Sequence, residues 1–524
     1  MSANGQVPHH RVVVIGAGFA GIGLGIRMLR EGIDDFVVCE RADDVGGTWE
    51  ANTYPGCQCD IPSHLYSFSF MPNPGWSRTF PEQPEIWEYL RRCAESGGVT
   101  PHLRLGCEVT DAVWDEAQAR WKIETTQGPL SADVLVAGTG PLSEPAIPDI
   151  PGLGSFGGAV FHSARWDHEH DLRGERVAVI GTGATAIQVV PAIQPEVGRL
   201  HVFQRTPPWV MPHRDRAVSR VERLLYGTLP AAQRALRGFS YALRETMVPA
   251  LVGNPERLKR IERIGRAHLR RQVPDPELRA RLEPSYRIGC KRIVPSNDWY
   301  PALQKPNVEV VTDGIAEVRP EGIVGADGVL RELDAIVLAT GFNVFDPEFA
   351  HRVRGAGGTL AEAWSGDGAQ AYLGATVAGF PNLFLLLGPN TGLGHNSIVY
   401  MIESQLNYVI DALGVMESQG VDRVEVRPDV QWAYNVDLQR RLAGAVWSSG
   451  GCANWYTDDQ GRNIAIWPRQ TWSFRRLTRR FDCGSYLLEP ATASASRAAN
   501  ASTSSAVVSQ EHISLTVPEG ESQT

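Results

Sequence analysis

The sequence lacks three features that would place it in common classes of protein. Basic residues are not in excess, because 50 Lys and Arg are outnumbered by 59 Asp and Glu and the formal net charge is −9. This balance argues against a nucleic-acid partner. The longest apolar run, residues 12–26, is interrupted by five glycines, so no membrane span is predicted. None of the eight cysteines belongs to a C-x-x-C pair, so no metal site is expected.

The cysteines are scattered along the chain, and Cys57 and Cys59 are the only close pair. We interpret that pair as incidental to a loop and expect reduced cysteines in a cytoplasmic protein. The N-terminus has no basic segment followed by an apolar run and a cleavage site, which favours the same expectation. At 524 residues, with 43% hydrophobic and 21% charged residues, the composition predicts a soluble globular protein of two to four domains.

A glycine-rich loop near the N-terminus has the sequence context of a dinucleotide-binding site. Residues 12–15 predict a buried parallel strand, and the loop GAGFAG at residues 16–21 leads from it into a helix-like segment. Such a loop lets a pyrophosphate approach the backbone at a helix N-terminus. The next predicted strand, residues 36–39, ends on Glu40, where a carboxylate would meet a ribose hydroxyl pair. Together these features predict a nucleotide site of the Rossmann type.

The same arrangement recurs in the second third of the chain with one charge reversed. Residues 176–180 predict a buried strand, followed by the loop GTGATA at residues 181–186 and by a strand that ends on Arg205. Glu40 lies 40 − 16 = 24 residues after the first glycine of its loop, and Arg205 lies 205 − 181 = 24 residues after the first glycine of the second loop. A carboxylate here suits a free ribose, whereas an arginine suits a 2′-phosphate. We therefore predict FAD at the first loop and NADPH at the second.

The segment between the two loops carries the most specific motif of the chain. Its sequence, FGGAVFHSARWD, fits the pattern F-x-G-x-x-x-H-x-x-x-W-D at every fixed position: Phe156, Gly158, His162, Trp166 and Asp167. This pattern resembles the fingerprint of type I Baeyer–Villiger monooxygenases. Residues 46–60 match a second signature of that family, G-G-x-W-x-x-x-x-Y-P-G-x-x-x-D. The resemblance covers nearly the whole chain except its C-terminal tail.

The resemblance implies an FAD- and NADPH-dependent enzyme that uses dioxygen to insert an oxygen atom next to a ketone carbonyl. The product would be an ester or lactone, formed through a C4a-peroxyflavin, and thioether oxidation is expected as a side activity. The implied fold is α/β, with two Rossmann-like dinucleotide-binding domains, for FAD and NADP, and a helical insert. This chemistry needs fixed positive charge beside developing anions and a site that excludes water.

The resemblance also assigns roles to particular residues. Residues 289–292, GCKR, resemble the family segment with the active-site arginine, so Arg292 would supply the positive charge as an always-protonated guanidinium. Asp60 would hold and tune Arg292. His162 lies in a linker, which favours a structural role over catalysis as a base. The residues expected to bind the cofactors, of which Arg205, Thr206 and Lys291 would grip the 2′-phosphate, are Gly16, Gly18, Phe19, Gly21, Glu40, Gly47, Thr48, Trp49, Asp60, Tyr66, Val109, Gly181, Thr182, Gly183, Thr185, Ala186, Gln188, Arg205, Thr206, Lys291 and Arg292.

The predicted domains alternate along the chain. Their expected bounds are 9–145 and 370–485 for the FAD-binding domain, and 150–210 and 286–345 for the NADP-binding domain. Residues 211–285 form an arginine-rich helical insert with three interpretations: a lid beside the active site, which interleaved acidic residues favour, a membrane-surface helix pair, or a nucleic-acid arm. Residues 486–524 are rich in Ala, Ser and Thr and are expected to be a disordered tail.

Three other functions compete with this prediction. A flavin monooxygenase that oxidises nitrogen or sulfur has a fingerprint with a different ending after the histidine, whereas this chain has the Baeyer–Villiger ending, WD. A flavin disulfide reductase needs a redox cysteine pair, and the one-residue spacing of Cys57 and Cys59 departs from such pairs. A non-catalytic flavin redox sensor would not need the Asp60, Arg205 and Arg292 set. We expect a small-molecule ketone and dioxygen as partners and a monomer or homodimer, while the identity of the ketone stays open.

Overall fold

A computed structural model of the protein describes residues 7–344 and 346–490. Most of the expected disordered tail, residues 491–524, lies outside the described residues. Its predicted start is wrong, because residues 486–490 form a strand that pairs with residues 421–426. Tyr486 is buried there, and its hydroxyl lies 2.9 Å from the hydroxyls of both Thr376 and Tyr408. This aromatic anchor holds the segment that composition alone assigned to the tail.

The strands of the described residues belong to five sheets. In chain order they are β1 (His9–Ile15), β2 (Phe36–Cys39), β3 (Leu103–Arg104), β4 (Val109–Asp115), β5 (Arg120–Thr125), β6 (Leu130–Ala137), β7 (Ala159–His162), β8 (Arg176–Ile180), β9 (Arg199–Phe203), β10 (Val210–Met211), β11 (Val294–Pro295), β12 (Val308–Val311), β13 (Ile315–Arg319), β14 (Gly322–Gly325), β15 (Leu330–Glu332), β16 (Ala335–Leu338), β17 (Val353–Gly355), β18 (Gly358–Thr359), β19 (Leu383–Leu385), β20 (Val421–Val426) and β21 (Tyr486–Pro490).

The α-helices of the same residues lie between and around these sheets. They are α1 (Phe19–Arg30), α2 (Thr48–Ala51), α3 (Gln83–Ser96), α4 (Ala184–Ile193), α5 (Arg220–Thr228), α6 (Pro230–Glu245), α7 (Lys259–Gln272), α8 (Pro276–Leu282), α9 (Trp299–Leu303), α10 (Glu348–Arg352), α11 (Leu360–Trp364), α12 (Ile398–Gln419), α13 (Pro428–Leu442), α14 (Val446–Ser449) and α15 (Thr471–Leu477).

The largest sheet is built around the strand that carries the first glycine loop. β1 lies between β2 and β6 in parallel, with Val13 opposite both Val37 and Leu135. The strand order is β18-β17-β4-β5-β6-β1-β2-β3, and β19 also pairs with β6. Since β17 begins at Val353, the chain returns to this sheet before residue 370, where the second part of the FAD-binding domain was expected to start. The short runs of Val and Phe in β1 and β2 are buried, as expected for central parallel strands.

The second sheet carries the second glycine loop and has the order β12-β9-β8-β16-β7. All of its pairings are parallel. The edge strand β7 begins directly after Gly158, where a side-chain Cβ would lie 2.1 Å from the backbone oxygen of Asp334. Only glycine permits this close approach, so Gly158 of the fingerprint serves the docking of β7 onto β16.

Helices α5 to α8 lie in the part of the chain that was expected to be a helical insert. α5 begins at a capping box, in which the side chain of Ser219 accepts from the backbone of Glu222 and Glu222 in turn binds the Ser219 backbone. Along the described part of the chain, none of the helices is both long and apolar enough to cross a membrane. The same residues contain no group of three or more His, Cys, Asp or Glu side chains that could hold a metal ion.

Candidate functional site

A cavity of about 1190 Å³ is lined by both glycine loops and by the loops that follow the parallel strands of both sheets. This is where ligands bind in open α/β sheets, since the loops after the carboxyl ends of the strands converge there. All of the residues expected to bind cofactor line it except Gly21 and Ala186, which are buried in the first turns of α1 and α4. The cavity therefore brings together residues from both predicted nucleotide sites.

The first loop leaves an open backbone surface because no side chain fits there. Gly16 has φ +95°, and a Cβ on it would lie 2.7 Å from the backbone oxygen of Gly138. A Cβ on Gly21 would lie 1.9 Å from the oxygen of Gly16. Across from the loop, the carboxylate of Glu40 accepts from the backbone N–H of Ala17 at 2.7 Å, which fixes it at the end of β2. This cradle fits the pyrophosphate and ribose of FAD.

The loop after β2 brings aromatic side chains to the same cavity. The indole N–H of Trp49 donates to the hydroxyl of Tyr66 at 3.1 Å, and the ring of Tyr66 packs edge-on against Phe19 with centroids 5.2 Å apart. Burial raises the pKa of Tyr66, so the phenol stays neutral and serves as a hydrogen-bond partner. Predicted residues from α1, α2 and the following loop thus form one wall of the cavity.

The second loop has the same backbone geometry and two cations beside it. Gly181 has φ +121°, and a Cβ on it would lie 2.3 Å from the oxygen of Ala339. The hydroxyl of Thr182 donates to the backbone oxygen of Thr206 at 2.8 Å, which holds the segment after β9 against the loop. Burial and then the charge of Arg205 lower the pKa of Lys291. In the described chain neither cation has a carboxylate oxygen within 4.0 Å, an arrangement that fits a 2′-phosphate.

The two nucleotide units are tied together by Gln188 on α4. Its side-chain oxygen accepts from the hydroxyl of Tyr54 at 2.9 Å, and its N–H donates to the backbone oxygen of Gln58 at 2.8 Å. The backbones approach so closely that a Cβ on Gly56 would lie 2.7 Å from the oxygen of Gln188. Gly56 belongs to the second signature, so that motif docks the first unit onto the second.

Asp60 and Arg292 meet at the wall shared by the two units. Arg292 donates two hydrogen bonds to the carboxylate of Asp60, from Nε to Oδ2 at 2.8 Å and from Nη2 to Oδ1 at 2.6 Å. It donates a third from Nη1 to the backbone oxygen of Leu393 at 3.0 Å. Burial opposes ionisation of Asp60, but Arg292 outweighs it and holds the pKa of Asp60 below its usual range. Burial likewise disfavours the charged form of Arg292, but the effect of the Asp60 carboxylate is larger than that of burial and raises the pKa of Arg292. Both side chains are therefore charged at neutral pH.

A second arginine, Arg244, reaches the same place from the end of α6. Its Nη2 donates to the backbone oxygen of Asp60 at 3.3 Å, and its Nη1 donates to the backbone oxygen of His395 at 3.2 Å. Burial lowers the pKa of Arg244, while the charge of Asp60 opposes that shift. Arg244 could not be predicted from the sequence, because no local motif marks it and only the packing of α6 brings it here.

The expectation that all cysteines are reduced is wrong for one pair. Cys290 and Cys452 form a disulfide across a sequence separation of 162. Cys290 directly precedes Lys291 and Arg292, and Cys452 directly precedes residues 453–455, which also line the cavity. The separation hid this pair, since nothing local relates the two segments.

The close pair Cys57 and Cys59 does not form a disulfide, and both residues line the cavity. Both cysteines are free and buried. Burial raises the pKa of Cys57 to about 12 and that of Cys59 well above its ordinary value. A thiol with a raised pKa is a poor nucleophile, which argues against the disulfide reductase alternative.

The residues of the fingerprint segment lie outside the cavity lining found among the described residues. His162 ends β7, and its Nδ1 accepts from the backbone N–H of Ala164 at 3.1 Å. Trp166 packs edge-on against Phe161 with ring centroids 5.0 Å apart. Burial lowers the pKa of His162, so its ring is neutral and caps a turn. This placement supports the structural role over catalysis as a base.

Known proteins share both the sequence and the fold. Residues 13–223 match the family described as pyridine nucleotide-disulphide oxidoreductase. A Baeyer–Villiger monooxygenase of Streptomyces coelicolor is 54% identical over 497 residues, which cover 94% of this chain and 96% of the relative. The chain belongs to the Baeyer–Villiger monooxygenase family. A second monooxygenase of that name, from Pseudomonas aeruginosa, is 50% identical over 483 residues, covering 92% of each chain.

Solved structures agree with this assignment. Cyclohexanone monooxygenase from Rhodococcus sp. Phi1 bound to NADP+ superimposes with a TM-score of 0.82 at 29% identity, over 93% of this chain and 100% of that one. Oxidized steroid monooxygenase bound to NADP gives a TM-score of 0.81 at 30% identity, over 92% and 99%. The predicted α/β fold with two dinucleotide-binding units, the cofactors FAD and NADPH and the monooxygenase reaction class are confirmed.

Proposed function

We propose that this Baeyer–Villiger monooxygenase oxidises ketones to esters or lactones at the wall where Asp60 meets Arg292, with thioethers as secondary substrates. The observation that carries the proposal is the two-bond ion pair between these residues, with N···O distances of 2.8 and 2.6 Å, in a cavity lined by both glycine loops. When bound and reduced by NADPH, FAD supplies the activation of dioxygen. The protein has to bind, orient and stabilise charge.

Arg292 is suited to stabilise the negative charge that develops during oxygen insertion. Its guanidinium is held by Asp60 and by the backbone oxygen of Leu393, so its position is set before substrate arrives. A charge oriented in advance in a site with little water is typically the largest catalytic contribution, on the order of 3 kcal/mol for one donor. Asp60 is the positioning partner, since both of its carboxylate oxygens are engaged by Arg292.

The second glycine loop would hold NADPH through its 2′-phosphate. Arg205, Thr206 and Lys291 line the cavity on that side, and Thr182 holds the backbone of Thr206 in place. Lys291 and Arg292 are adjacent in the sequence. One short segment would therefore carry both the lysine that binds the 2′-phosphate and the arginine that stabilises negative charge during oxygen insertion. Nucleotide bound there would also cover the reaction site and exclude water.

We further propose a cytoplasmic monomer or homodimer as the working form. The net charge of −9 and the ordinary composition are typical of a globular enzyme that acts on small organic substrates. The ketone pocket would lie beside Arg292, where Leu393, Asn396 and residues 453–455 complete the cavity.

The proposal is tested with the FAD-loaded enzyme, NADPH and ¹⁸O-labelled dioxygen. The substrates are an aryl methyl ketone, a cyclic ketone and an aryl methyl thioether. We expect an ester or lactone that carries one labelled oxygen, formed in proportion to the NADPH consumed. Arg292→Ala should keep NADPH oxidation and release hydrogen peroxide instead of ester.

The same experiment separates the rival functions. Oxidation of the thioether alone, with every ketone recovered unchanged, would mean that the enzyme acts on sulfur rather than on carbonyl groups. NADPH oxidation that yields hydrogen peroxide with every substrate would favour a redox sensor. Either result would overturn the ketone proposal.

A further inference from the structure

Helices α5 and α6 pack in an unusual orientation. A surface helix normally packs its apolar side against the protein, whereas this pair turns its polar side towards it. On α6, Gln233 donates to the backbone oxygen of Asn73 at 2.8 Å, and Arg237 donates to the backbone oxygen of Ser67 at 2.8 Å. Glu245, at the end of the helix, accepts from the side chain of Asn396 at 2.7 Å. The polar residues of the helix are therefore used for docking onto the rest of the chain.

The opposite side of the pair is apolar and exposed to solvent. On α6 the small residues Ala231, Ala235, Gly238 and Ala242 are exposed on this side. We call the large apolar side chains of the pair the outer face; they are Val221 (75% exposed), Leu224 (67%), Leu225 (44%), Leu229 (52%), Phe239 (66%) and Leu243 (59%). A cluster of large exposed apolar side chains on neighbouring helices is typical of a surface that contacts a partner protein or a membrane.

The two helices present this face in the same direction. The ring of Tyr226 on α5 packs edge-on against His64, with centroids 4.8 Å apart. Gln233 on α6 contacts Nδ1 of the same histidine at 3.0 Å. Because both inner sides lie over one residue, both outer sides point away from it. The outer face is thus one surface made by two helices.

The charge around the outer face is positive and unpaired. Arg220 lies one turn before Leu224 on α5, and Arg234 lies one turn before Gly238 on α6. Both arginines are exposed, and in the described part of the chain neither has a carboxylate oxygen within 4.0 Å. The acidic residues of the pair are engaged elsewhere, since Glu222 binds Arg216 and Glu245 binds Asn396. An apolar stripe flanked by arginines, with no free acid, has the composition of a helix that lies in a membrane interface.

A second copy of the chain fits this surface less well. A two-fold interface brings the same patch of both subunits together. The unpaired arginines of one copy would then approach those of the other, with no carboxylate on the two helices free to pair with them. Anionic lipid headgroups supply the negative charge that this face lacks.

We propose that the outer face of α5 and α6 binds anionic membrane surfaces, with Phe239 and Leu243 inserted between headgroups and Arg220 and Arg234 paired with lipid phosphates. Arg244 of α6 contacts the backbone of Asp60, so the docked helix pair would place the active-site wall next to the lipid. The enzyme would then meet apolar ketones that partition into the bilayer. This last step rests on the proposed function, whereas the lipid contact does not.

The test is co-sedimentation of the full-length FAD-loaded enzyme with vesicles. One set contains phosphatidylcholine and phosphatidylglycerol, and the other contains phosphatidylcholine alone. We expect binding to the mixed vesicles only, weakened by added salt because surface charge is screened. Phe239→Ser and Arg234→Glu should each lower the bound fraction at least about tenfold. Val329→Ser, which changes a 51%-exposed valine before β15, is the matched control and should bind like the parent.

Three outcomes would overturn the proposal. The parent enzyme could stay in the supernatant with mixed vesicles, or Phe239→Ser could bind as well as the parent. Light scattering could instead find a dimer that Phe239→Ser converts to a monomer, which would assign the face to a second copy. FAD content and turnover of a water-soluble ketone are measured on every variant, so a folding defect or a failed ketone proposal is recognised separately.

Discussion

Arg244 binds the backbone oxygen of Asp60 at 3.3 Å, while the carboxylate of Asp60 is occupied by two bonds from Arg292. Two guanidinium groups therefore lie beside one carboxylate, to which Arg292 alone of the two donates, and the three side chains together carry a net positive charge. A buried charge without its own partner is costly, so its presence beside a cavity points to a task there. Anionic species that form during oxygen insertion would balance the excess charge.

Arg292→Ala should lower kcat for ester formation by about 10²- to 10³-fold, because a donor directed at developing negative charge is lost. Arg292→Lys should restore only part of this, since an ammonium cannot make the paired bonds to Asp60. Product formation is measured by gas chromatography beside NADPH oxidation. Equal rates of ester formation for Arg292→Ala and the parent enzyme would show that Arg292 has no catalytic role.

Asp60→Asn should destabilise the protein at neutral pH by about 3 kcal/mol, because it leaves Arg292 without its carboxylate. The pKa of Asp60 is lowered in the fold, so its contribution to stability is present above the ordinary value of 3.8 and is lost as pH falls through the folded pKa. The difference in the free energy of unfolding between parent and variant should therefore shrink below about pH 4. Denaturant titrations from pH 3 to pH 8 check this. A difference that does not change with pH would contradict it.

Arg244 is a positioning residue in our account, because it binds the backbone of Asp60 and of His395 and not a reacting group. Arg244→Met, which keeps the length but removes the charge, should lower kcat about tenfold and raise the share of NADPH lost to hydrogen peroxide. Arg244→Lys restores the positive charge and should therefore recover much of the coupling between NADPH oxidation and ester formation. A purely structural role would instead lower the melting temperature of Arg244→Met while leaving the ratio of ester to peroxide unchanged.

The site divides into parts that local sequence predicts and parts that it does not. The glycine loops at Gly16 and Gly181 were predictable, since each needs a backbone conformation and a close approach that only glycine allows. The meeting of Asp60 and Arg292 was predictable only through the motifs that contain them. Arg244 and Cys452 reach the same wall from distant segments without any motif, and periodicity or spacing carries no information about such contacts. The strand at Tyr486 was hidden for a related reason, because its partners lie far away in the chain.

Arg205→Ala should raise the KM for NADPH about 10- to 100-fold and leave the KM for NADH nearly unchanged. The physical reason is the loss of a charge-assisted bond to the 2′-phosphate, a group that NADH lacks. Arg173→Ala, an exposed arginine in the turn before β8, is the matched control and should keep the parent preference. Steady-state kinetics with both nucleotides decide the matter. An equal rise in KM for NADPH and for NADH would show that Arg205 does not bind the 2′-phosphate.

The disulfide between Cys290 and Cys452 joins the segment of Lys291 and Arg292 to residues 453–455 on the facing part of the cavity. Cys452→Ser should therefore lower the free energy of unfolding by about 2–5 kcal/mol under non-reducing conditions. It should also raise the KM for NADPH, because the segment that carries Lys291 becomes freer to move.

Thermal unfolding with and without a reductant measures the first effect. Cys483→Ser, at a free and partly exposed cysteine, is the control and should melt like the parent. Adding reductant should lower the melting temperature of the parent and leave Cys452→Ser unchanged, since the bond is already absent there. Alkylation followed by mass spectrometry could instead find all eight cysteines free in the non-reduced protein. That result would show that the disulfide does not form, and it would contradict both predicted effects of Cys452→Ser.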